Sequence, residues 1–161
     1  MTSSAVRVDV VSVDAVLPLR HRVLRPGRPE SESSYSSDRD PCTVHLAVLD
    51  DSGEVLACGT FFPEPLDGKS AWRVRGMATD PRRRGQGLGT AVLHAGIEHV
   101  ASAGGSLLWC NARLGALALY RRAGFETVGA EFELPGIGAH YLAVLRLPGH
   151  PPFDQMNGTA S

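Results

Sequence analysis

The stretch "GMATDPRRRGQGLGTAVLHAG", residues 76–96, decides how this chain is read. Arg82, Arg83 and Arg84 run into Gly85, Gly87 and Gly89, and a helical pattern starts at Leu88. Glycines ahead of a helix let backbone N–H groups converge on an anion, and the helix N-terminus adds roughly half a positive charge. Three patterns use this device. A GxxxxGK[ST] loop needs a lysine after the glycines, and the only lysine here is Lys69. A dinucleotide turn needs a third glycine where Thr90 stands, or Val92 if the count begins at Gly87. It also needs an acidic residue about 20 positions on, and a βαβ winding that the surrounding pattern does not supply. The third pattern, Arg/Gln-x-x-Gly-x-Gly/Ala between a strand and a long helix, is met position for position by Arg84, Gly85, Gln86, Gly87, Leu88 and Gly89.

Outward from that stretch, the apolar residues Leu88, Val92, Leu93, Ile97 and Val100 share one face and Thr90, His94, Glu98 and Ser102 the other, which predicts an amphipathic helix over 88–103 stopped by Gly104-Gly105. Upstream, VRVDVVSV (6–13) predicts a first strand, and Asp14 an N-cap for a helix to about Leu24. Residues 28–40, RPESESSYSSDRD, are too polar to bury and predict a solvated connection, with a second role as a candidate wall of an acceptor site. TVHLAVLD (43–50) and EVLACGTFF (54–62) form a hairpin around Asp51-Ser52-Gly53, and SAWRVRGMAT (70–79) a further strand. SLLWCN (106–111) predicts a buried central strand, and 114–123 a second amphipathic helix capped by Gly124. ETVGAEFEL (126–134) and HYLAVLRL (140–147) close the series around Pro135–Gly138. The order β-α-β-β-β-α-β-α-β-β predicts a single α/β (α+β) domain over 1–147, a mostly antiparallel sheet with helices on its faces, followed by a disordered tail at 148–161.

Composition removes several classes of function. With 43 % hydrophobic and 20 % charged residues the chain is globular, and a formal net charge of −1 offers nothing to nucleic acid or an anionic membrane surface. Cys42, Cys58 and Cys110 are widely spaced and form no CxxC pair, so neither a metal site nor a disulfide framework is expected. The first residues lack a basic region followed by a long apolar core, so no signal peptide and a cytoplasmic location are expected. Cys110 is read as a buried thiol, and Arg20, Arg22, Arg25 and Arg28 as a solvated face.

Downstream of the glycines, Asn111 ends the apolar strand, and ARLGALALYRRAGFETVG (112–129) ends its helix in Tyr120-x-x-x-Gly124-Phe125. These two motifs together resemble the GNAT superfamily of acetyl-CoA-dependent N-acyltransferases, and the resemblance covers about residues 70–130. LRHRVLRPGRPE also looks like the opening helix of small bacterial members of that family. The resemblance implies the GNAT acyl-CoA N-acyltransferase fold, a mixed sheet of six or seven strands. It also implies acetyl-CoA as cosubstrate, and a primary amine, of a small molecule, attacking the thioester through a tetrahedral intermediate. The pyrophosphate falls to Arg84, Gly85, Gln86, Gly87, Leu88, Gly89 and Thr90, the pantetheine and thioester to the backbone of Met77, Ala78 and Thr79, and further cofactor contacts to Asn111 and Tyr120. Tyr120 is the candidate general acid, since a phenol of reference pKa about 10 keeps its proton at neutral pH and can donate to a thiolate of pKa about 8.5. His45, Glu64, Glu133 and His140 lie in strands or turns that border the splayed sheet, and are the candidates for acceptor contact or general base. A structural role is the simpler reading of each, and proton loss through water requires no base. A peptide or protein N-acetyltransferase, and an acetyl-CoA-binding module without turnover, are the alternative functions. A homodimer is compatible with the resemblance.

Overall fold

The computed structural model describes residues 6–147, so the 148–161 segment expected as a tail lies outside the described residues. The elements are β1 (Asp9–Val11), α1 (Val13–Leu24), β2 (Val44–Leu49), β3 (Val55–Pro63), β4 (Trp72–Thr79), α2 (Leu88–Ser102), β5 (Leu107–Arg113), α3 (Leu117–Arg122), β6 (Glu126–Leu134) and β7 (Gly138–Arg146). Short 3-10 turns occupy Glu30–Ser33, Pro81–Arg83 and Leu114–Ala116. The strands follow the order β1-β2-β3-β4-β5-β7-β6 in one mixed sheet, parallel at β4/β5 and antiparallel at β1/β2, β2/β3, β5/β7 and β6/β7. No described helix is long and apolar enough to cross a membrane. The described chain divides into two compact units, residues up to 62 with 74–96, and 63–73 with residues from 97 on.

In the first unit, β2 and β3 are a hairpin whose turn is held by the Asp50 carboxylate. Its Oδ1 accepts from Ser52 N–H at 2.9 Å, Ser52 hydroxyl at 2.6 Å and Glu54 N–H at 2.9 Å. An Asx turn of this kind leaves a glycine, here Gly53 at φ 88°, for the left-handed position. Strand β1 is shorter than the 6–13 expected, because it pairs only where His45, Leu46 and Ala47 oppose it. Helix α1 starts at Val13 with Ser12 in the cap position, two residues ahead of the Asp14 cap expected. Val16 and Leu19 of α1 bury against Ala47, Cys58 and Ala78, which covers one face of β2, β3 and β4. Helix α2 covers the other. Gly96 lies so close to the Phe61 ring that any side chain there would run into it, and Val92 faces Gly59.

Two expectations about the first unit fail for a shared reason. Arg20 is not solvated but 1 % exposed, and the 28–40 segment is not a plain surface connection, since Asp38 is 6 % exposed. The Arg20 guanidinium donates to Asp38 Oδ2 at 2.8 Å and Oδ1 at 3.2 Å, to the Ser33 carbonyl at 2.9 Å, and to Thr60 Oγ1 at 2.7 Å. His45 Nε2 donates to the Asp38 carbonyl at 2.8 Å, which leaves Nδ1 to accept from the Thr60 hydroxyl at 2.8 Å. A polar segment can be buried when its charge is paired and most of its polar groups are met; here Arg20 Nε and Ser33 Oγ are buried without a hydrogen-bond partner, and average polarity along a sequence reveals neither.

In the second unit, β5 is buried along its middle, between the start of β4 (Trp72↔Leu108, Arg73↔Trp109) and β7 (Leu107↔Arg146 through Arg113↔His140). The β6–β7 hairpin opens at Leu134↔Gly138, and its register shifts between Val128 and Phe132, where Gly129 takes φ 78°. Helix α3 ends as expected. Gly124 stands at φ 104°, Gly124 N–H bonds to Arg121 O at 3.0 Å, and Phe125 N–H returns to Tyr120 O at 3.0 Å.

The buried ion pair makes a clear stability prediction. Removing one partner of such a pair strands the other charge, which costs about 3–5 kcal/mol. Asp38→Ala should therefore destabilise the protein by that amount in urea unfolding, whereas Glu32→Ala, which removes the exposed partner of Arg28 at 2.7 Å, should leave the midpoint where it is.

Candidate functional site

Strand β4 and the segment that follows it carry the residues of the first unit that were expected to hold the cofactor. Met77 and Thr79 are half-buried and Ala78 is buried. The chain then turns at Asp80-Pro81, where Asp80 caps the 3-10 turn. Its carboxylate accepts from Arg82 N–H at 3.0 Å and from the Arg82 guanidinium at 3.2 and 2.8 Å, and Arg22 stands 3.5 Å away. These bonds, the Arg82 side chain first, hold the Asp80 carboxyl well below the usual carboxylate range. A depressed folded-state pKa contributes stability at pH above the unfolded value of about 4, and that stability fades only as pH falls on toward the folded value. The turn thus keeps its ion pair through neutral and mildly acidic conditions. Asp80 was not among the site residues read from sequence. The signal for it is an Asp-Pro at a strand end with an arginine two residues on.

Beyond the turn, Arg84, Gly85, Gln86 and Gly87 are exposed. Arg84 is extended, Gly85 has φ 82° and Gly87 φ 77°, values that favour glycine. A Cβ at either glycine would meet nothing within 4 Å. The room beside them is therefore left open by the protein itself, and the glycines serve the backbone path. Leu88 is buried, Gly89 half-buried and Thr90 exposed, and Ala91 N–H makes the first helical bond, to Gly87 O at 3.0 Å. The N–H groups of the first turn have no intrahelical acceptor, and no acidic side chain stands in that turn to neutralise them. One contiguous segment thus brings together all the residues assigned to the pyrophosphate. Arg82 is already committed to Asp80, which leaves Arg83 and Arg84 as the exposed guanidinium groups next to the glycines.

The second unit holds the other candidates. Asn111 is half-buried on β5, opposite Leu142. Tyr120 is 5 % exposed, its ring edge-on to Phe125 at 5.2 Å. Counted from Leu114, a regular helical period sets Tyr120 on a face with Arg113 and Ala116, where it need not be a core residue. The helix instead begins at Leu117 after a 3-10 turn, whose different period rotates that face. Burial pushes the Cys110 thiol up to about 12, while a hydrogen bond with the Tyr120 side chain works in the opposite direction. A thiol so placed keeps its proton at neutral pH and is no nucleophile. Cys58 is likewise pushed up to about 12 by burial.

The four acceptor candidates fall in different surroundings. His45, in the first unit, has both ring nitrogens engaged in the Arg20–Asp38 network. Glu64 pairs with Arg73 at 2.9 Å, and its carbonyl accepts from the Trp109 indole N–H at 3.0 Å, with the Arg73 guanidinium 4.5 Å over the Trp109 ring. His140 is buried, donates from Nδ1 to Gly138 O at 2.7 Å, and stacks on Phe132. Glu133 is exposed on β6. Among the described residues no group of three or more His, Cys, Asp or Glu is arranged to hold a metal ion.

The model of the acetyltransferase (GNAT) family matches residues 13–125. The chain is 34 % identical over 136 residues to YitI of Bacillus subtilis, an uncharacterized N-acetyltransferase, covering 83 % of this chain and 91 % of that one. It is 30 % identical over 140 residues to YhbS of Escherichia coli, another uncharacterized N-acetyltransferase, covering 79 % of this chain and 76 % of the relative. The crystal structure of Escherichia coli YhbS in complex with CoA superposes with a TM-score of 0.67 at 22 % identity, over 91 % of this chain and 84 % of that one. With the family model spanning α1, the glycine loop and the Gly124-Phe125 cap, and with a relative 34 % identical over most of both chains, the chain belongs to the acetyltransferase (GNAT) family.

Proposed function

We propose that this protein is an acetyl-CoA-dependent N-acetyltransferase that acetylates the primary amine of a small molecule. The observation that carries the reading is the Arg84–Gly89 loop: exposed, turned by two positive-φ glycines with open space beside them, and leading into a 15-residue helix. Its chemistry fits a pyrophosphate, because helix N-terminal N–H groups and an exposed guanidinium are what such an anion binds. The similarity to YhbS, a structure with bound CoA, supports the same ligand class here.

Acetyl-CoA, when bound, supplies an activated acetyl thioester. The residues of this chain then have separate tasks. Backbone N–H groups from Gly85 to Thr90 bind the diphosphate, and Arg84 offsets its charge. The main chain of Met77, Ala78 and Thr79 orients the thioester end, with Asn111 as a further contact. Tyr120 is the general acid, its Oη giving a proton to the leaving thiolate. No cysteine takes part, since Cys58 and Cys110 hold their protons and Cys42 is exposed, outside any such arrangement. With both nitrogens of His45 engaged, the amine proton leaves to water. Three unpaired thiols among the described residues support a reducing, cytoplasmic setting.

The test is free-thiol release from acetyl-CoA over a panel of spermidine, free amino acids and a tetrapeptide with a free N-terminus. Release with the small amines supports the reading, preference for the tetrapeptide favours a peptide acetyltransferase, and binding of acetyl-CoA without amine-dependent release identifies a non-catalytic module. Within that assay, Tyr120→Phe should lower kcat by about a hundredfold, within the range for a general acid, with the acetyl-CoA Kd within about twofold of wild type. Gly87→Val should weaken acetyl-CoA binding to the point of loss, because a β-branched residue resists φ 77° at a cost of about 1–2 kcal/mol and its side chain fills the open space of the loop. A thermal melt of that variant should stay within a few degrees of wild type.

A further inference from the structure

The 28–40 segment is tied to the sheet by one device, and that device ends at β4. The Asp38 carboxylate does two things at once: Oδ2 accepts from Arg20 at 2.8 Å and from the Tyr35 N–H at 2.8 Å. Asp38 N–H in turn bonds to Tyr35 O at 3.1 Å, so Tyr35 and Asp38 form a closed turn whose charge is neutralised by a buried guanidinium. The Tyr35 ring is half-buried and carries two guanidinium groups, Arg20 at 4.1 Å and Arg75 at 3.8 Å from its centroid. Stacking of this kind is a fixed, sequence-specific contact.

Beneath that ring lies Gly76. It sits within β4 at φ 67°, and a Cβ there would stand 2.8 Å from Arg20 Nε and 3.3 Å from Tyr35 Cε2. Gly76 is thus a place where the backbone of β4 is approached directly by a buried arginine and a half-exposed tyrosine. The next residue is Met77, whose main chain orients the thioester under the reading above. An attacking amine must reach about 3–3.5 Å from the carbonyl carbon, so the half-exposed side chain lying on the adjacent backbone borders its path. Arg20, at 1 % exposure, is out of reach of a substrate.

We infer that Tyr35 borders the amine acceptor and sets its affinity, and that the Arg20–Asp38 pair is the positioning device that holds Tyr35 there. The inference rests on the acetyltransferase reading and names the side chain that carries acceptor preference within it. It narrows the acceptor-wall role expected of the 28–40 segment to one side chain and names the pair that holds it. It also gives a reason for a glycine at 76, since any side chain at that position displaces both the arginine and the ring.

The test uses the full-length protein and the panel amine that gives the fastest wild-type release. Tyr35→Leu should raise KM for that amine about tenfold, the size of effect expected from losing one side-chain contact in a substrate pocket, with acetyl-CoA Kd within about twofold. Tyr35→Phe should restore the wild-type KM, because both stacks need only the ring. Asp38→Asn, which keeps the shape of the side chain, should move KM for the amine in the same direction as Tyr35→Leu. A purely structural role would lower the melting temperature and shift both substrates alike, and that result overturns the inference. An amine KM unchanged in Tyr35→Leu also overturns it while leaving the acetyltransferase reading in place. Absence of any amine-dependent release by wild type overturns that reading, and the inference with it. Should Tyr35→Leu not fold, Tyr35→Trp keeps the stack and narrows the site. A reordered ranking of the panel amines then supports the inference, and an unchanged ranking overturns it.

Discussion

The first unit depends on a guanidinium that has no business in an apolar core unless everything around it is arranged for it. Arg20 is buried among α1, β3 and the 28–40 segment, and the acceptors it meets come from two separate places: Asp38 and the Ser33 carbonyl in the 28–40 segment, and Thr60 on β3. Leaving a buried charge unpaired costs several kcal/mol, so each of these groups is constrained by the others. His45 extends the constraint to β2, because its Nε2 proton is committed to the Asp38 carbonyl and its Nδ1 to Thr60. The consequence reaches β4, where Gly76 exists without a side chain in the space that Arg20 and Tyr35 fill.

The glycine loop works on the opposite principle. Nothing in the protein crowds Gly85 or Gly87, and their positive φ values serve a backbone path rather than a packing need. What holds the loop is at its ends. Asp80 is buried and clasped by Arg82 on one side, and Leu88 anchors the first turn of α2 on the other. The loop is fixed at both ends and open between them.

In the second unit, Tyr120 and Cys110 illustrate how burial separates two groups that both carry labile protons. The Cys110 thiol is pushed up by its apolar strand, so it stays protonated and inert. Tyr120 is packed against Phe125 at the end of α3, which fixes its ring while the Gly124 cap fixes the helix end beneath it. The packing shows why glycine and phenylalanine follow the tyrosine here. Gly124 supplies the left-handed residue and Phe125 the surface on which Tyr120 rests.

Much of this was legible from local pattern. The order of elements, the β2–β3 and β6–β7 hairpins, the capped end of α3 and the glycine loop all follow from period, turn chemistry and backbone freedom within a few residues of one another, and the structure has them at or near the expected bounds. The burial of Cys110 followed from its apolar strand. The solvated face assigned to Arg20 and the plain connection assigned to 28–40 did not survive, and the helical period counted from Leu114 did not call for the burial that Tyr120 has. In each case the deciding contact lies far along the chain: Asp38 is 18 residues from Arg20 and Thr60 is 40, and a 3-10 turn shifts the phase of a helix too short to reveal it. Sequence by itself determined the family and the elements, because local dihedral preferences and hydrophobic period are properties of neighbours. Which polar groups are buried, and which of them hold the segment beside β4, was decided only by tertiary structure, because a charge becomes affordable in a core only when its partner arrives from elsewhere in the fold.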